Sequence, residues 1–433
     1  MKLPGSGSLS RLRSSRDARG AALIAGADIV RLGLQAVYFV LLAATLGAAG
    51  FGLYAGTVAL VVLVQMLGSW GTTDLLLKNV SVDRGRLSGW LGTTMVVTLV
   101  TSGALSIVLL ILAPIVLGDS YQLNLLLPLL ISDLLTLRVV EIFWASFLSV
   151  DRLIEAAVAR LGWAIVRVVA LVLYILSEIE PSPESWATVQ AVFLGLMSVG
   201  YLIYIRRVLG VITFEGAFRR VPKTEGFAFA IGSTSETVYG DADKALLLRY
   251  EGDAVAGAYT AAYRLISFAF VPVSALVVTK ITSMYRAGHT SINDSLNVVR
   301  RYAGAVVVYS ILAGVILVAI SRFLPEIIGE DFSEMAVMTL ALAGMPLLQS
   351  SHRILGAVLM TSGEVHWKGA AQVLTASLNI VLSLILIAQF SWQGAVVSSY
   401  ASELILLAIF VAVLRRRRRF EAEVHPERSA AAR

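Results

Sequence analysis

The chain has 433 residues, of which 57% are apolar and only 15% charged, with a net charge of +6 and a mean hydropathy of +0.80. A soluble globular chain is about a quarter charged, so this composition cannot coat a water-facing surface, and it is equally unlike a disordered or collagen-like chain. The absence of cysteine removes disulfides, thiolate nucleophiles and cysteine metal sites.

The composition therefore predicts an all-α polytopic membrane protein. A span needs roughly 20 apolar residues to cross the hydrocarbon. Twelve such stretches follow one another at about 20–44, 51–72, 89–117, 122–150, 158–176, 186–205, 225–249, 257–279, 303–320, 333–360, 369–389 and 393–414. The first runs for 25 residues after a basic tail, and the apolar pattern resumes at once. It is read as a span and not as a signal peptide. Glu236, Asp241, Asp243, Lys244 and Arg249 interrupt the seventh. The natural division is an N-terminal lobe, 1–210, and a C-terminal lobe, 220–433, with six spans each.

Charge placement sets the orientation. Of 35 Lys and Arg, 26 fall in the tails and in the loops at 73–88, 151–157, 206–224, 280–302 and 361–368, one (Arg322) falls in the opposite loops, and eight remain inside spans. Positive loops face the cytoplasm, so both termini are expected there. The run Arg415–Arg419 follows an apolar helix directly, which suits lipid headgroups and not nucleic acid. Four scattered histidines make no metal site, and the short loops leave no room for a catalytic domain. The chain is therefore read as a transporter without covalent chemistry, not as an enzyme.

The turn before the second span reads Gly47-Ala-Ala-Gly-Phe-Gly52-Leu-Tyr54, and 205 residues later Gly252-Asp-Ala-Val-Ala-Gly257-Ala-Tyr259 repeats its Gly, Gly and Tyr. Six spans return a chain to its starting side, so the halves would be parallel repeats about an axis normal to the membrane.

Charges within spans are costly and mark candidate sites. Asp28 with Arg31, and Arg138 with Glu141, lie one turn apart, as neutral structural pairs or as part of a cavity. Arg264 has no acid within four residues. It calls for water, an acid on another helix or an anionic ligand, and its fork of donors suits a diphosphate. Arg353 is a further deep cation. Asp241, Asp243 and Glu236, like Asp28, are candidate ion- or charge-coupling groups. Tyr38, Tyr263 and Gln35 are polar groups on the same helices that either pack within the bundle or line a cavity.

The turn at Leu46–Tyr54, the stretch Asp241–Arg264, Pro272, and Asn379 with Trp392-Gln-Gly394 together resemble the polysaccharide-biosynthesis flippases of the multidrug/oligosaccharidyl-lipid/polysaccharide exporter superfamily. The resemblance implies two six-helix bundles forming a V around a central cavity, working by alternating access. It implies a polyprenyl-diphosphate-linked oligosaccharide (undecaprenyl diphosphate) as substrate, carried from the inner to the outer leaflet. Arg264, in Ala262-Tyr-Arg-Leu265, matches a cavity arginine of the related lipid II flippases, with Arg31, Arg138 and Arg353 as weaker candidates. Expected partners are membrane lipids, a polysaccharide polymerase and glycosyltransferases. No cofactor is expected beyond a proton or sodium gradient or the membrane potential. An ion-coupled exporter of drugs or small amphiphiles, a lipid II flippase and a non-transporting scaffold remain open on the same residues.

Overall fold

The computed structural model describes residues 6–210, 212–214, 216, 241–288, 291–323, 326 and 329–424. Its regular elements are all helical: α1 (Ser6–Gln65), α2 (Thr72–Val82), α3 (Leu87–Leu117), α4 (Leu123–Leu129), α5 (Leu137–Ser149), α6 (Leu153–Ile175), α7 (Pro183–Leu209), α8 (241–251), α9 (Asp253–Gly288), α10 (Ile292–Ser321), α11 (Met335–Leu342), α12 (Met345–Thr361) and α13 (Val365–Val424). Expected spans one to six and eight to twelve all fall on these helices. Only 241–249 of the seventh lies among the described residues.

Breaks within the helices follow from local chemistry. Helix α1 breaks at Gly47, with φ 68°, a left-handed value that glycine adopts without penalty, so two spans share one helical stretch. Helix α13 breaks likewise at Ser391, with φ 55°, between the eleventh and twelfth spans. The tenth span bends by 49° between α11 and α12, where Gly344 loosens the backbone and Pro346 starts the next helix. The fourth is continuous but carries a π-helical stretch, Leu130–Thr136. It follows Pro128, whose missing N–H deletes a rung of the ladder.

Helix packing separates two units: residues 1–45, 64–112 and 122–231 in one, and 46–63, 113–121 and 232–433 in the other. The first unit packs Leu75, Trp90, Phe143, Phe147 and Trp163 into its core. The second packs Val277, Tyr302, Val358 and Phe410. Outward faces are apolar too: Ile107, Ile111 and Ile115 stand one turn apart on α3 and are 61–70% exposed. In water that stripe would be unfavourable; in lipid it is what a span requires.

Within the second unit the two glycine turns meet. A Cβ at Gly52 would stand 1.7 Å from the Asp253 carbonyl oxygen, and one at Gly257 would stand 2.1 Å from that of Ala48. Positions 48 and 52 become 253 and 257 on adding the repeat offset of 205. The contact is therefore reciprocal, each turn offering its glycine to the other's backbone, as at an axis of two-fold symmetry.

Candidate functional site

The candidate residues divide between the two units. In the first, Arg31 Nε lies 3.2 Å from Asp28 Oδ1, both partly exposed, and Gln35 is half-buried one turn further along the helix. Arg138 is 2% exposed and holds Glu141 at 2.8 Å across one turn of α5.

Tyr38 belongs to a buried network. Arg167 Nη2 donates to the Tyr38 hydroxyl at 2.9 Å and to Gln190 Oε1 at 3.0 Å, and its guanidinium stacks on the rings of Tyr38 and Trp163. The Tyr38 hydroxyl donates to the same Gln190 oxygen at 3.0 Å and accepts from Trp186 Nε1. Gln190 Nε2 then donates to Ser132 Oγ and Asp133 Oδ2, each at 3.0 Å. Ser132 also donates to Asp133. Asp133 is buried on the π-helical stretch, whose wider turn presents consecutive polar side chains to α7.

The second unit holds the larger charged cluster. Lys244 Nζ lies 2.7 Å from Asp241 Oδ1 and 3.8 Å from Asp243 Oδ1, over the ring of Tyr263. Tyr259 donates to Asp243 Oδ2 at 2.7 Å. The Tyr263 hydroxyl accepts from Gln349 Nε2 at 3.2 Å. Next along α12, His352 Nδ1 meets Glu403 Oε2 at 2.6 Å, and Glu403 is fully buried. Asn379, buried on α13, donates to Ser402, while its Oδ1 finds no donor among the described residues.

Arg264 behaves differently. It lies on α9 immediately after the buried Tyr263, yet its own side chain is exposed. Among the described residues it makes no hydrogen bond or ion pair. Arg353 lines a cavity elsewhere in the second unit. Glu236 lies outside the described residues. The structure thus joins Asp241, Asp243 and Tyr263 in one cluster, places Tyr38 in another, and gives Arg264 no polar partner among the described residues. Sequence reasoning missed Asp133, Gln190, His352 and Glu403. The legible signal was a lone acid inside an apolar span, at 133 and at 403.

An all-helical chain with breaks between paired spans, polar clusters buried in each unit and a glycine contact relating two repeats has the fold of the multidrug/oligosaccharidyl-lipid/polysaccharide transporters. Solved structures share it. A lipid II flippase, MurJ, in an inward closed conformation superposes with TM-score 0.68 at 15% identity, over 91% of this chain and 87% of that one. An inward-facing multidrug resistance MATE family transporter gives 0.61 at 13%, over 90% and 99%. A transporter of the same superfamily from Pyrococcus furiosus gives 0.60 at 11%, over 92% and 96%. The family described as polysaccharide biosynthesis protein matches residues 18–280, more than half of the chain, and the chain belongs to that family. No curated protein sequence matches it.

Proposed function

We propose that the protein is a flippase carrying a polyprenyl-diphosphate-linked oligosaccharide repeat unit from the cytoplasmic to the outer leaflet, for cell-surface polysaccharide synthesis. The observation that carries this reading is the match to the polysaccharide biosynthesis family over 18–280. Arg264 supplies the chemistry: an exposed guanidinium with no counter-charge among the described residues, on an apolar helix, wants an anion. A diphosphate satisfies its planar donors in pairs. Arg31 and Arg138 already hold acids on their own helices, which ranks them below Arg264 as diphosphate contacts.

The mechanism is alternating access by the six-helix halves 1–210 and 220–433, with both termini cytoplasmic as the loop charges favour. No bond is made or broken. Asp241 and Asp243, with Lys244 between them, are the groups through which an ion gradient would act. A second reading, an ion-coupled exporter of small amphiphiles, draws support from the buried carboxylates Asp133 and Glu403.

The test is mass spectrometry of lipid-linked glycans, resolved by leaflet with an impermeable reagent. The strains are wild type, a deletion, and the deletion carrying Arg264→Ala. The proposal expects an unmodified repeat unit to accumulate on the cytoplasmic leaflet in both mutants. A normal distribution in the deletion, in a strain with no second flippase, would exclude it and favour the exporter.

A further inference from the structure

One cavity lies wholly inside the second unit and meets the clusters above only at His352. It has a volume of about 280 Å³ and is walled on one side by Val277, Ile281, Met360 and Phe410. Its other side is polar: His352, Arg353, Lys368 and Gln372. Arg353 and Lys368 are its two cations, while His352 is held from behind by Glu403. A mostly apolar wall carrying two cations on one side fits a molecule built the same way.

The cavity's height in the helices narrows the ligand. Met360 is next to the last residue of α12, and Lys368 lies in the first turn of α13. Phe410 stands five residues before the Arg415–Arg419 run. The cavity therefore sits where apolar spans give way to a basic end, the level of lipid headgroups. Gly356 keeps it open. A Cβ there would stand 3.2 Å from the ring edge of Phe410 and 3.4 Å from Lys368 Cε. Any larger side chain would fill the space between the cationic and apolar walls. The volume is at the low end for small-molecule sites, enough for a phosphate and a few carbons of chain but not for a glycan repeat.

We propose that this cavity binds the phosphate of a lipid. Arg353 and Lys368 contact the phosphate oxygens, Gln372 donates a further hydrogen bond, and the first carbons of the chain lie against Val277, Ile281, Met360 and Phe410. The chemistry is shared by the phosphodiester of a bilayer phospholipid and by a polyprenyl phosphate. The inference stands apart from the flippase reading, because binding at this site does not require transport.

The purified full-length protein in detergent is titrated with phosphatidylglycerol, a polyprenyl phosphate, diacylglycerol or inorganic phosphate. Bound lipid is read by native mass spectrometry, and acylation of Lys368 by an amine-reactive reagent. At least one phosphate-bearing lipid is expected to bind and to slow Lys368 acylation, and the tighter of the two identifies the source. Gly356→Leu, by filling the cavity, and the double variant Arg353→Gln/Lys368→Gln, by removing both cations, should each weaken that lipid by at least about tenfold. Unchanged Lys368 reactivity with both lipids would overturn the proposal without any variant having to fold. Equal protection by inorganic phosphate or by diacylglycerol would overturn it too, as would wild-type binding by folded variants. None of these outcomes bears on the leaflet distribution of glycans, so the two readings fail separately.

Discussion

Arg167 in the first unit and Arg264 in the second sit on similar apolar helices, and everything around them differs. Arg167 donates to Tyr38 and Gln190 and stacks on two aromatic rings. Through Gln190 it reaches the buried carboxylate of Asp133. Its charge is absorbed by oriented dipoles and π-faces, and the network ties four spans together. Arg264 has an exposed side chain and no such partners among the described residues. A guanidinium that the fold satisfies is part of the scaffold. One with no polar partner among the described residues is, on the proposed function, available to a ligand.

That contrast is most exposed to test by paired substitutions. Arg167→Ala should destabilise the protein by about 2–3 kcal/mol, since it strips charged hydrogen bonds from half-buried Tyr38 and buried Gln190. Denaturant unfolding in detergent measures this. Arg264→Ala should leave stability within about 0.5 kcal/mol of wild type, as expected for an exposed side chain outside any network. Equal losses in the two variants would dissolve the distinction.

Next in size is the glycine contact. Gly257→Ala forces a Cβ against the Ala48 carbonyl and should cost about 1–3 kcal/mol by overpacking. Gly52→Ala should cost a similar amount because the contact is reciprocal. Gly195→Ala, where a Cβ would meet nothing within 4 Å, is the control. Thermal unfolding of the three variants distinguishes a shared axis from a coincidence of small residues.

The smallest effect concerns Asp253, the first residue of α9. Burial pushes its carboxyl above the usual carboxylate range, only partly offset by a hydrogen bond from Ser120. The folded state therefore holds the proton more tightly than the unfolded chain. Asp253 contributes its stability below its unfolded pKa and loses it as pH rises through the folded one. Asp253→Asn should remove that dependence, flattening the unfolding midpoint between mildly acidic and neutral pH and raising it slightly at neutral pH.

How much of this was legible beforehand depended on the range of the interaction. Spans were readable because hydropathy is a local sum, and the breaks at Gly47 and Ser391 fall at the gaps between apolar runs. The pairs Asp28–Arg31 and Asp241–Lys244 were readable because a helical turn brings residues three apart together. The His352–Glu403 contact joins residues 51 positions apart on different helices, and no periodicity announces it. The Asp133 network needed the π-helical stretch as well, which turns Ser132 and Asp133 jointly toward Gln190. The repeat was visible as three matching residues, but only the packing showed that its glycines touch each other.

The central claim is that Arg264 holds a lipid-linked diphosphate during transport. The most direct measurement reconstitutes wild type, Arg264→Ala and Arg167→Lys into vesicles containing a polyprenyl-diphosphate-linked glycan. It then follows the glycan's exposure to an impermeable modifying reagent. The account predicts rapid exposure with wild type, a substantial rate with Arg167→Lys, and a rate at least about a hundredfold lower with Arg264→Ala, as expected when a charge-assisted bidentate contact is lost. Wild-type flipping by Arg264→Ala would contradict it.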